Sequence, residues 1–129
     1  MKIESIKFKA KRLDNGEWVK GDLVHSTSYV GISYPSDEFP DVPIVHRVDP
    51  STVCQYTGLT DCEGNEIWEG DIIRSPHFVS VATVKWDDSL CGFKCSDVTG
   101  NINFSFTAIN HCSEWSIVSN KFDRKEGEK

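Results

Sequence analysis

No run of about eighteen apolar residues occurs anywhere in this chain, so no part of it is long and apolar enough to span a bilayer as a helix. The opening residues MKIESIKFKAKR lack the apolar centre of a secretion signal. With no such signal, the five cysteines are expected to stay reduced, and their odd number argues against a disulfide framework. The expected compartment is therefore the cytoplasm. Glycine is scattered rather than grouped: Gly21 and Gly70 stand alone, and no phosphate-cradling loop is present. Helical periodicity is missing from the first fifty residues. Positive charge is also in deficit, with fourteen Lys and Arg against twenty Asp and Glu. The shortage is concentrated after residue 50, where seven basic residues face twelve acidic ones. That balance disfavours nucleic acid as a partner, because non-specific affinity comes mainly from Lys and Arg neutralising phosphates.

What the chain does have is alternation. Its 129 residues suit one domain or two small lobes, and four Trp, seven Phe and three Tyr supply large apolar area. Ile6, Phe8 and Ala10 alternate with Lys7, Lys9 and Lys11, the period of a half-buried strand with a solvated basic face. Asp14-Asn15-Gly16 is a turn signal, and Glu17–His25 is the expected return strand. Tyr29–Tyr34 and Ile44–Val48 are further strands. Between them lies residues 35–43, PSDEFPDVP, whose three prolines and three acids make a wet loop. After the turn Asp49-Pro50-Ser51, the stretch Thr52–Arg74 reads as a β-hairpin turning over Asp61–Asn65. Strands are then expected over Val79–Trp86, Leu90–Val98 with a bulge at Gly92, Ile102–Ala108 and Glu114–Val118. The spacing predicts an all-β protein built as a small barrel or sandwich. Three segments are expected: 1–50 as a β-hairpin and meander lobe, 51–120 as the barrel, and 121–129 as a charged tail that frays.

An echo links the two halves. Glu17-Trp18-Val19-Lys20-Gly21-Asp22-Leu23-Val24 aligns without gaps to Glu66-Ile67-Trp68-Glu69-Gly70-Asp71-Ile72-Ile73. Each copy places Gly-Asp before two apolar residues, which suits a bend in which Gly redirects the chain and Asp bonds nearby N–H groups. Duplication and ordinary hairpin grammar both account for it.

Several of these patches together resemble the YopX-like family of small phage and prophage proteins. They are Ile6–Arg12 with Gly16–Leu23, then Gln55-Tyr56-Thr57-Gly58-Leu59, Asp61, Gly64, Glu66-Ile67 and Glu69–Ile73. Val84–Asp88 and Trp115–Asn120 fit more loosely. The resemblance implies a β-rich N-terminal part followed by a small, partly open SH3-type barrel. It carries no enzymatic activity and no cofactor. The residues Trp18, Gly21, Asp22, Tyr56, Gly58, Gly64, Trp68, Gly70 and Asp71 are accordingly structural signatures. Cys54, Cys62 and the stretch Cys91–Cys95 depart from the pattern, so no metal or thiol role follows from it.

Reactive chemistry finds little purchase. Cys91, Cys95, His111 and Cys112, with His77, are the residue types of a zinc site, but residues four apart on a strand are separated by roughly 13 Å. Small buried apolar cysteines are the plainer expectation. No nucleophile elbow is present, and the Asp87-Asp88 pair suits a solvated turn. Trp68, Trp86, Phe104 and Phe106 could stack bases, yet Arg74 and Lys85 are their only basic neighbours in sequence, so core positions are expected. Phe39 is different. Inside the acidic, proline-punctuated loop it is either tucked onto its own lobe or displayed to a partner, and it is the candidate protein interface. The function expected is a non-enzymatic protein-binding module that self-associates, with a nucleic-acid-binding accessory protein as the alternative.

Overall fold

The computed structural model describes residues 2–97, 102–105 and 114–123, without the side chain of Phe104. The protein is all-β, and the helical segments Ile3–Ser5 and Pro50–Thr52 are single 3-10 turns. The chain divides into two compact units that meet between Tyr56 and Thr57. The sequence placed that boundary near residue 50. A single strand, β5 (Cys54–Thr60), spans residues 56 and 57.

In the first unit, β1 (Phe8–Lys11), β2 (Trp18–His25), β3 (Val30–Pro35) and β4 (Pro43–Arg47) form antiparallel neighbours in the order β4-β3-β2-β1, with the start of β5 beyond β1. The period-two pattern sets the faces: Ala10 is fully buried and Phe8 packs beside it, while the intervening lysines point away. Ala10 lies opposite Val19, and together with Ile32, Val48, Val30 and Val53 they make the core. Each fully buried aliphatic side chain such as Ile32 contributes roughly 1.5–3 kcal/mol. The row of strands curls back at one corner, where Arg12 bridges Val48. There the Leu13 N–H donates to the Arg47 carbonyl at 3.1 Å and the Asp49 N–H to the Lys11 carbonyl at 2.9 Å. The Asp49 carboxylate caps the following turn by accepting the Ser51 N–H at 3.0 Å.

In the second unit, β5 continues beside β6 (Glu66–Trp68), and the Thr57 hydroxyl donates to the Ile67 carbonyl at 2.7 Å. A five-stranded antiparallel sheet follows in the order β10-β9-β8-β7-β11. Its members are β7 (Asp71–Arg74), β8 (Ala82–Asp87), β9 (Gly92–Ser96), β10 (Asn103–Ser105) and β11 (Ser116–Asn120). Its core gathers Ile67, Ile73, Ala82, Val84, Cys95, Ile102 and Trp115, with Phe78 stacked on Trp115 at 5.7 Å. Among the described residues β10 and β11 lie at opposite edges, so the sheet stays open in the way a partly open barrel would.

Four local expectations need correction. The irregularity placed at Gly92 lies instead in β11, between Ile117 and Ser119, because Gly92 simply starts its strand after a turn. The last strand begins at Ser116 and runs to Asn120; of the expected tail 121–129, the Lys121 N–H donates to the Gly70 carbonyl and the Asp123 N–H to the Asn120 carbonyl, both at 2.9 Å, and residues 124–129 lie outside the described residues. Cys62 and Cys91 are exposed, and only Cys54 and Cys95 among the described cysteines take buried apolar positions. The Gly-Asp echo does not mark a shared bend. Gly21 sits inside the unbroken β2, whereas Gly70 turns the chain between β6 and β7.

Candidate protein-binding loop

The connection between β3 and β4 is a short, ordered structure built by its own polar groups. The Ser36 N–H donates to the Val42 carbonyl at 3.3 Å, closing the loop at its base. Inside it, the Ser36 hydroxyl accepts the Phe39 N–H at 3.3 Å, and the Val42 N–H donates to the Phe39 carbonyl at 2.8 Å. Phe39-Pro40-Asp41-Val42 is thus a β-turn with proline at its second position, where the ring's fixed φ suits the geometry. Beneath the loop, Tyr34 on β3 and His46 on β4 are hydrogen-bonded at 2.9 Å, which braces the two strands.

The consequence is that Phe39 is displayed. It is 64% exposed, its neighbour Val42 is 58% exposed, and Val45 on β4 is exposed too. Asp37, Glu38 and Asp41, its neighbours in sequence, are exposed as well.

The signature residues divide by position. Tyr56, Trp68, Gly70 and Asp71 are buried, Trp18 and Gly21 are half-buried, and Asp22, Gly58 and Gly64 are at the surface. Asp71 accepts the Trp68 N–H at 2.7 Å and the Asn120 side-chain amide at 3.0 Å, fixing the β6–β7 turn against β11. Its counterpart in the echo, Asp22, is exposed, so the matching residues have separate roles.

The basic face of β1 is less solvated than the alternation implied. Lys9 and Lys11 hold their ammonium groups 4.7 and 5.4 Å from the centre of the Trp18 ring, and Lys7 lies 4.8 Å from that of Tyr56. These cations therefore cover their own aromatics. Trp68 is buried as expected, but Trp86 is 44% exposed, edge-on to Phe93 at 5.2 Å, with its indole N–H on Asp88 at 2.8 Å. Phe106, His111 and Cys112 lie outside the described residues. Among those described, no three His, Cys, Asp or Glu side chains gather as metal ligands. Cys91 stands in the turn before β9, while Cys95 points into the core. Asp87 anchors that turn: the Lys94 ammonium at 2.7 Å, the Ser89 hydroxyl and two backbone N–H groups hold its carboxyl far below the usual carboxylate range.

The model of the family described as YopX protein matches residues 7–124, most of the chain. No curated protein matches it.

Proposed function

The chain belongs to the YopX family, and from that membership and the displayed loop we propose that it is a phage- or prophage-encoded, non-enzymatic protein-binding module that self-associates in the bacterial cytoplasm. One observation carries this: Phe39 is exposed although its loop is internally hydrogen-bonded. Order in the free loop lowers the entropic cost of binding, because the prolines and the two backbone closures already restrict it. An aromatic anchor bordered by carboxylates also supplies both affinity and orientation.

Phe39→Ala tests the reading directly. Association of the wild-type chain, followed by sedimentation or light scattering, should weaken in the variant while its melting temperature stays within a degree or two. A Phe39→Ala protein that melts much earlier, with association intact, makes Phe39 an anchor of its own lobe and removes the proposal.

A further inference from the structure

We infer that the Phe39 loop docks on a second copy of this chain, in the recess formed by Leu13, Asp14, His46 and Arg47. The inference rests on the protein-binding reading above and names the partner and the surface.

The β4 edge offers little for strand addition. The Ser36 N–H bonds to the Val42 carbonyl and the Val48 N–H to the Val30 carbonyl, so residues 42, 44, 46 and 48 turn their backbone groups toward β3. The outward groups belong to residues 43, 45 and 47. Pro43 has no N–H, and the Arg47 carbonyl is already taken by the Leu13 N–H. The outward groups left are the Pro43 carbonyl, the Val45 N–H and carbonyl and the Arg47 N–H, a short ladder interrupted at both ends. Side chains are therefore the larger resource for recognition on this side.

The first unit carries two sets of unmatched side chains. On the loop, Asp37, Glu38 and Asp41 have no cation partner among the described residues, and they flank exposed Phe39 and Val42. In the recess, Leu13 is 63% exposed, and the Arg47 guanidinium lies 4.8 Å from the Tyr29 ring centre with no carboxylate partner among the described residues. Asp14 does not cancel that charge, because Arg12 already holds it through two hydrogen bonds of 2.6 and 2.9 Å. The recess is an open hollow of about 290 Å³, large enough for a phenyl ring. An exposed leucine beside an arginine that has no carboxylate partner among the described residues suits an exposed aromatic whose sequence neighbours are carboxylates: Phe39 against Leu13, and the acids against Arg47. Phe39 does not fill its own recess, since it is exposed. Each copy has one loop and one recess, so two copies satisfy each other reciprocally or link head to tail.

The test mixes full-length variants. Sedimentation of Phe39→Ala and of Arg47→Glu should each show association weakened roughly tenfold to a hundredfold, the range of a lost anchor. An equimolar mixture of the two should recover complexes, because one variant keeps a recess and the other keeps a loop. Leu13→Ser serves as a second recess variant should Arg47→Glu melt early. If Phe39→Ala weakens association while Arg47→Glu and Leu13→Ser match the wild type, the recess assignment is wrong and the protein-binding reading survives. If Phe39→Ala associates like the wild type, both fall. A wild-type chain that stays monomeric at high concentration overturns self-association itself.

Discussion

The Ile117 N–H donates to Asp61 Oδ2 at 3.1 Å, which ties the turn of the central hairpin to the last strand. The other carboxylate oxygen of Asp61 accepts the Glu63 and Asn65 N–H groups, each at 2.9 Å, and so shapes the turn as well. Burial alone would push this carboxyl's pKa up, but the backbone donors of Ile117, Asn65 and Glu63 outweigh it and the pKa is lowered.

That lowered pKa has a definite sign in stability. A carboxylate that ionises more readily when folded stabilises the protein above its unfolded pKa, about 3.9, and the contribution fades as pH falls through the folded value. Asp61→Asn keeps one acceptor but sets an amide donor against a backbone N–H. The expected cost at pH 7 is about 1–3 kcal/mol. Denaturant unfolding at pH 7 and again near pH 3 should show the gap between variant and wild type narrowing in acid. An equal gap at both pH values would mean that charge plays no part.

Gly21 and Gly70 should respond differently to the same substitution. A Cβ on Gly21 would collide with the Ser33 carbonyl oxygen on the neighbouring strand, and backbone cannot yield without opening the sheet. At Gly70 the φ of +88° strains any other residue, but the nearest atom to a Cβ is the Asn120 amide at 3.3 Å, the tip of a side chain. Gly70→Ala is expected to cost about 1–2 kcal/mol, the usual left-handed penalty. Gly21→Ala should cost more, roughly 3 kcal/mol or above. Equal losses in thermal melts would mean that the strands beside Gly21 yield as readily as the Asn120 side chain does at Gly70.

The sequence made these elements legible to different depths. Phe8 and Ala10 against their lysines, and the Asn15-Gly16 turn, were visible because side-chain period and turn chemistry act locally. The shared Gly-Asp of the echo misled because the same dipeptide meets different neighbours, the Ser33 backbone in one copy and Asn120 in the other. Phe39 could be singled out but not placed, since its exposure depends on the Ser36 and Val42 hydrogen bonds that close the loop. The recess was invisible. It is made by the approach of Leu13 to Arg47, which are 34 residues apart, and no local pattern encodes that pairing.

Thiol chemistry offers an independent check of the core. Cys62 and Cys91 are exposed, so a thiol reagent should modify them in the native protein within minutes. Cys54 and Cys95 are fully buried and should wait for unfolding. Peptide mapping after brief labelling distinguishes the pairs. Labelling of Cys95 as fast as Cys91 would mean that the core built on Ile67 and Val84 opens readily.

Salt separates protein from nucleic acid as the partner. A chain that neutralises phosphates loses affinity steeply with ionic strength, by about 0.9 log units per tenfold salt for each contact on duplex DNA. Here the formal net charge is −6, and Lys7, Lys9 and Lys11 already lie over Tyr56 and Trp18. Retention of random duplex DNA at physiological salt is therefore expected to be negligible. Self-association through Phe39 should weaken only modestly between 50 and 500 mM salt, because the apolar contact is unscreened and the surface charges at Arg47 are not. Sedimentation across that range measures one, and a fluorescence titration with labelled duplex measures the other. DNA binding with a steep salt slope, lost on replacing Lys9 and Lys11 by Gln, would place phosphates on β1 and displace the protein-binding reading.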